Sequence, residues 1–143
     1  ENLIKEAEKR NVDSNRLIFA YKLPLEKHLA RHALGDLALD TFNYNGHTTT
    51  SDALWAGLPV LTKIGESFAA RVSASILTSL GIPELITNSE EEYEEKALYI
   101  ARNPNELIRL QSKLLKLRKT SPLYNSELFT RSLEKKFKEL VQK

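Results

Sequence analysis

Cysteine is absent from the chain, which excludes disulfides, thiolate metal sites and cysteine nucleophiles and fits a cytoplasmic protein. Methionine is absent too, so the chain is expected to be an interior or processed segment of a larger protein. Residues 1–143 then read as one partial domain, truncated on its N-terminal side. No apolar run approaches membrane-spanning length, and no signal-peptide pattern opens the sequence. Neither sign of charge dominates. A net charge of +2 gives no bulk electrostatic drive toward nucleic acid or a membrane surface. What is there, 41% apolar and 28% charged residues, matches a soluble globular domain. The length allows a real core but is short for two lobes closing on a substrate.

Short β-prone runs alternate with helical patterns along the chain. The opening "ENLIKEAEKR" puts Leu3, Ile4 and Ala7 on one helical face. "RLIFA" (16–20) and "GDLALD" (35–40) are too short for helices and read as strands, with a two-turn helix between them after Pro24. "TTTSDALWAG" is a short helix stopped by Gly57 and Pro59, with Trp55 placed in the core. "PVLT" follows as a strand. A helix over 66–80, with Ala69, Val72, Ile76 and Leu80 inward, ends at Gly81 and Pro83, and "ELIT" (84–87) is a weak strand.

Three helices close the chain. Ser89 and Glu92 stand in capping-box spacing, and the acidic run 90–95 complements the dipole of that helix start. Asn103-Pro104 opens the next helix, striped by Leu107, Leu110, Leu114 and Leu117. The last runs from about Ser126 with Phe129, Leu133, Phe137 and Leu140. There is no internal repeat, low-complexity segment or flexible linker. The pattern predicts an α/β fold: a short parallel sheet with strands near 17–19, 36–40, 59–62 and 84–86, flanked by helices and closed by these three.

In such a sheet, ligands bind beyond the carboxyl ends of the strands, where loops meet helix N-termini. The stretch 40–52 sits there, with a strand ending at Asp40, a polar loop 41–47 and a helix start near Thr48. Gly46 can take a left-handed conformation and bring the backbone close to a ligand. The amides of Thr48, Thr49 and Thr50 are unpaired first-turn donors, favourably placed for an anion. The Thr48 and Thr49 hydroxyls add donors, and Asp52, one turn on, suits sugar hydroxyls. Diphosphate at the helix end and ribose one turn along make a nucleotide geometry. The same letters also read as an ordinary capping box, in which Asp52 bonds back to the Thr49 amide and nothing is bound.

His47 stands in the loop, where it could donate to a phosphate. His28 and His32 are one turn apart, but no third ligand at recognisable spacing accompanies them, so no metal is expected. Lys27 and Arg31 read as a solvated face unless their helix lies beside the nucleotide loop.

"NGHTTTSDALWAGLPVLT", then "GESFAARVSASILTSLG" and "SPLYNSELFTRSLE", closely resembles the C-terminal end of the O-linked N-acetylglucosamine transferases and their bacterial relatives. "RLIFAYKLPLEKHLARHALGDLALDT" resembles the same family in register, so the likeness runs from about residue 10 to the C-terminus. It implies the Rossmann-like C-terminal lobe of a two-lobed GT-B glycosyltransferase, the lobe that holds the UDP-sugar donor. Matched residue by residue, His47, Thr48 and Thr49 would hold the diphosphate, with Gly46 beside them, and Asp52 the ribose. The backbone near Leu23 and the side chains of His28 and Arg31 would serve the uridine side. Leu25 departs from the family pattern, which carries a lysine there close to uracil and ribose.

The reaction so implied is inverting transfer of N-acetylglucosamine from UDP-N-acetylglucosamine to a protein Ser or Thr hydroxyl, without a metal or other cofactor. The partners implied are a UDP-sugar, a protein acceptor and an N-terminal lobe of the same chain. The family's phosphate-contacting lysine and its proton-transfer residues match no position here, so no catalytic residue is assigned and the segment alone is expected to be inactive. Two other readings stand beside this one. One is a non-catalytic protein-docking module; the other is a GT-B enzyme using another UDP-sugar or an Asn acceptor.

Overall fold

Three short parallel strands hydrogen-bond in the order β1 (Ala38–Leu39), β2 (Val60–Lys63), β3 (Ile86–Thr87) in a computed structural model that describes residues 2–142. The register pairs Ala38 with Val60, Leu39 with Leu61, Thr62 with Ile86 and Lys63 with Thr87. β2 lies between the other two, and its Val60, Leu61 and Thr62 are all buried. A continuous buried run without alternation is what a parallel strand covered on both faces requires.

Among the described residues, seven α-helices accompany the sheet: α1 (Asn2–Lys9), α2 (Leu25–His32), α3 (Thr48–Ala56), α4 (Val72–Leu80), α5 (Glu90–Arg102), α6 (Pro104–Thr120) and α7 (Ser126–Val141). Their ends follow local chemistry. α3 stops at Gly57, whose φ of 95° is left-handed and whose amide reaches back to Ala53 and Leu54. α4 stops the same way at Gly81. The Ser89 hydroxyl accepts from the Glu92 amide (3.1 Å) and opens α5, while the Glu92 carboxylate turns back to the Asn88 amide (2.8 Å). Leu54 of α3, Leu61 of β2, Leu77 of α4, Ile100 of α5 and Leu110 and Leu114 of α6 meet in one core, each essentially sealed from solvent. Burying each such side chain stabilises the fold by about 1.5–3 kcal/mol.

Several sequence expectations are corrected. Residues 17–20 form no strand: Ile18 is 90% exposed and no ladder hydrogen bond engages the run, because no neighbouring strand lies against it. Residues 83–85 make a single helical turn led by Pro83, so the third strand starts only at Ile86. Residues 66–71 are bends and turns, and the helix expected from 66 begins at Val72. Trp55 is not core but 48% exposed, edge-on to Tyr124 with ring centroids 5.0 Å apart. α1 and α7 bury no residue, so the stripes of Leu3, Ile4 and Ala7 and of Phe129, Leu133, Phe137 and Leu140 do not join the core.

Candidate functional site

The loop after β1 is shaped by Asp40. Its Oδ1 accepts from the amides of Thr41 (3.0 Å) and Gly46 (2.7 Å), and its Oδ2 accepts from the Thr62 hydroxyl on β2 (2.7 Å). One carboxylate thereby closes a six-residue loop and fastens it to the central strand. The Tyr93 hydroxyl on α5 donates to the Asp40 carbonyl (3.0 Å). Burial, and secondarily the Asp40 charge, push the Tyr93 phenol up to about 12. Asn45, wholly buried, donates to the Thr41 carbonyl (2.9 Å), and its amide reaches the Ala69 carbonyl (2.9 Å), so the loop leans on segment 65–71.

Gly46 has a role different from the one expected. It is not among the left-handed residues, and its amide is taken by Asp40. A Cβ there would lie 2.5 Å from Thr50 Oγ1 and 2.8 Å from Thr49 Oγ1. The missing side chain admits the first turn of α3 against the loop. Thr50 and Ser73 complete this packing: both hydroxyls lie within 3.0 Å of the Gly46 carbonyl and 2.9 Å from each other. Thr50 is therefore internal glue.

Thr48 and Thr49 are exposed, and among the described residues neither hydroxyl has a partner. The amides of Thr48, Thr49 and Thr50 likewise donate to no protein acceptor, since the first backbone bond of α3 runs from Ser51 to the His47 carbonyl. Nor is there a cap. His47 is the residue before the helix and makes no side-chain cap bond, and Thr49 lies inside the first turn. The capping-box alternative is thus absent: no bond joins Asp52 to the Thr49 amide, and the Asp52 carboxylate is unengaged among the described residues. Free first-turn donors with no capping side chain are an anion-binding arrangement. The His47 ring stacks on Tyr44 (centroids 5.0 Å, 11° between planes) with Phe68 edge-on, and its Nε2 is buried without a partner.

The second half of the site lies on α2, which packs against α3. Ala20, Tyr21, Lys22, Leu23, Leu25, His28 and Arg31 line a cleft of about 430 Å³. Leu23, His28 and Arg31 are thus brought together as the sequence suggested, and Leu25 stands at the same cleft. The Arg31 guanidinium donates to the Tyr21 carbonyl (2.9 Å) and lies 2.9 Å from His28 Nδ1. His32, one turn on, has its ring 4.7 Å from that of His28. Burial, followed by the neighbouring His28, lowers its pKa, with the Asp52 charge acting the other way. The Asp52 carboxylate of α3 thus lies close enough to act on His32 of α2.

Two groups of expected donor residues therefore occupy adjoining helices: His47, Thr48, Thr49 and Asp52 on or before α3, and Leu23, His28 and Arg31 on or before α2. Sequence reading placed Asp40 only as a strand end and gave Thr62, Ser73 and Tyr93 no part. An aspartate followed six residues later by the loop glycine was the one available signal. Among the described residues no cluster of three or more His, Asp or Glu is placed to hold a metal, and no helix is long and apolar enough to cross a membrane.

The chain is similar to known proteins along nearly its whole length. A mutant O-GlcNAc transferase from Thermobaculum terrenum superposes with a TM-score of 0.88 at 34% identity, covering 96% of this chain and 26% of that one. The UDP-N-acetylglucosamine–peptide N-acetylglucosaminyltransferase of Caenorhabditis elegans is 34% identical over 134 residues, which is 94% of this chain and 12% of that protein. An Arabidopsis thaliana protein, SEC, described as a probable enzyme of the same name, is 38% identical over 129 residues, 90% of this chain and 13% of its own length. The chain therefore spans about an eighth of the curated relatives it matches. The model of glycosyl transferase family 41 matches residues 1–133, and the chain belongs to that family.

Proposed function

We propose that this chain is the UDP-binding part of an inverting glycosyltransferase that moves N-acetylglucosamine from UDP-N-acetylglucosamine to a protein Ser or Thr hydroxyl without a metal. One observation carries the reading: the amides of Thr48, Thr49 and Thr50 and two threonine hydroxyls stand without protein partners at the carboxyl end of the sheet. The names of the relatives, the position of Asp52 one turn on from Thr48, and the packing of α2, which carries the cleft, against α3 support it. His47, Thr48 and Thr49 hold the diphosphate, with Gly46 letting the helix close on the loop; Asp52 takes the ribose hydroxyls. Leu23, His28 and Arg31 form the base side.

The chemistry these residues supply is stabilisation of the leaving group. As the bond between sugar and phosphate breaks, negative charge grows on the diphosphate, and preorganised amides and hydroxyls stabilise it. Each charge-assisted hydrogen bond contributes about 1.5–3 kcal/mol, and the helix end up to about 2. Acceptor activation and water exclusion belong to the rest of the enzyme, so the chain on its own binds UDP and transfers no sugar. Residues 1–143 act as one partial domain against an N-terminal lobe, and a cytoplasmic setting is proposed with it from the cysteine-free composition.

Titrating the full chain with UDP by calorimetry or NMR tests this. Asp52→Asn keeps the shape of the side chain and its helix but offers the ribose one acceptor oxygen and no charge. UDP affinity should fall roughly tenfold with circular dichroism unchanged. No shift in the wild type at millimolar UDP sinks the proposal and favours a docking module.

A further inference from the structure

α3 is short and open at its start. Its buried residues are Thr50, Ala53 and Leu54, and no side chain caps the turn that carries the free amides. A helix of nine residues is marginal on its own, and an uncapped first turn frays unless something outside holds it. That hold comes from the corner between α6 and α7. The Tyr124 hydroxyl donates to the Ser51 carbonyl (3.0 Å), and Arg118 Nη1 donates to the Trp55 carbonyl (2.6 Å). Residues four apart share a helix face, so the two bonds grip one side of α3 a full turn from each other.

The corner is itself fixed. The buried Ser121 hydroxyl donates to the Ser79 carbonyl in the last turn of α4 (3.2 Å) and accepts from the Leu123 amide (3.2 Å). Leu123 and Tyr124 pack against the core. The Tyr124 ring meets Trp55 edge-on, and the Arg118 guanidinium stands 5.9 Å from the centre of the same indole. Burial raises the Tyr124 pKa, the Ser51 bond opposes that rise, and the Asp52 charge adds to it. The phenol therefore also lies within electrostatic reach of the Asp52 carboxylate.

From these contacts we infer that Tyr124 and Arg118 are positioning residues for ligand binding, which set the seat of α3 and through it the aim of the Thr48, Thr49 and Thr50 amides. The inference rests on the UDP-binding reading and extends it to two side chains 73 and 63 residues along the chain from the carbonyls they hold. Donors already in place bind an anion more tightly, because no ordering cost falls on the moment of binding. A turn free to pivot offers the same amides at scattered angles. Tyr124 acts beside that turn, since the Ser51 amide makes the first backbone bond of the helix. Arg118 acts at the far end, where a cation also complements the helix dipole.

Titrating the full chain with UDP by calorimetry, at a temperature where circular dichroism shows every variant folded, separates positioning from stability. Tyr124→Phe keeps the ring against Trp55 and deletes one hydroxyl, so UDP affinity should fall roughly threefold to tenfold. In the ligand-free protein the amide NMR signals of Thr48 and Thr49, which make no bond to the phenol, should move as well. Arg118→Met should weaken UDP by a similar factor, and Arg118→Lys, which keeps a donor and a charge, should recover most of it. A lowered melting temperature with unchanged UDP affinity in Tyr124→Phe overturns the inference, because the bond is then structural only. So do unmoved Thr48 and Thr49 signals, or an Arg118→Lys as weak as Arg118→Met. A wild type silent to millimolar UDP, with those two signals moved in Tyr124→Phe, supports the seating of the turn and overturns the UDP reading instead.

Discussion

Replacing Asp40 with Asn keeps the side chain's shape and takes away its charge, which isolates what that charge does for the loop. Three donors converge on the carboxylate, from Thr41, Gly46 and Thr62, the last two at 2.7 Å. Hydrogen bonds to a charged acceptor contribute about 1.5–3 kcal/mol, against about 0.5–1.5 for neutral pairs. Asn keeps one oxygen for the two amides, so each of those bonds should weaken by about 1 kcal/mol. Its NH2 group then faces the Thr62 hydroxyl, which must turn from donor to acceptor. Together the loss should be about 2–3 kcal/mol, read as a lower urea midpoint with an unchanged slope. UDP affinity should fall as well, because the start of α3 is held through Gly46. Thr62→Val removes one donor without changing shape, and its effect should be strongly non-additive with Asp40→Asn in a double-mutant cycle. Asp40→Asn within about 0.5 kcal/mol of wild type, with UDP binding intact, would refute the claim that this carboxylate builds the loop.

Four further outcomes follow from other contacts. Gly46→Ala forces a methyl against the Thr49 and Thr50 hydroxyls, so it should cost about 1–3 kcal/mol in denaturation and abolish measurable UDP binding. Thr48→Ala combined with Thr49→Ala removes two unpartnered hydroxyls and leaves the amides, so UDP affinity should drop roughly tenfold in calorimetry while thermal stability holds. Glu84 is held below the ordinary carboxylate range: burial acts to raise it, but Lys113 at 2.7 Å, with Arg109 nearby, outweighs that. Its stabilising effect is complete above the ordinary carboxylate pKa and lost as pH falls through the lowered one, so the gap of under about 1 kcal/mol between wild type and Lys113→Gln should close in acid. Tyr93→Phe should cost about 1 kcal/mol, and ultraviolet titration of the wild type should show one phenol ionising near the raised value of about 12; its bond is complete below the ordinary tyrosine range and lost as pH rises through that value.

Elements bounded by their own local chemistry were legible in the sequence. The Gly57 and Gly81 stops, the Ser89 cap and the Asn103-Pro104 junction are each written within a few residues, and all four stand where the sequence put them. The run at 16–20 was misread because β-propensity measures fit to a neighbouring strand, and here none is present. Trp55 and the α7 stripe failed for a related reason: periodicity marks an apolar face but not what covers it. At the candidate site, His47 and Asp52 rested more on the family resemblance, while Thr48 and Thr49 could be singled out because a helix start declares its own free donors. Asp40 could not. Its partners lie one, six and 22 residues away, and only the parallel pairing of β1 with β2 brings Thr62 beside it.

Trp55 is the chain's sole tryptophan, and its place on α3 has an optical consequence. The indole lies edge-on to Tyr124, its backbone carbonyl accepts from Arg118, and the Tyr124 hydroxyl donates to Ser51 one turn earlier. The helix whose N-terminus bears the free amide donors therefore carries, near its other end, a chromophore clamped against the close of α6. Any tilt or fraying of α3 moves that indole between aromatic shelter and water. Its emission colour and its quenching by iodide then become an intrinsic gauge of how firmly the helix is seated, with no label added.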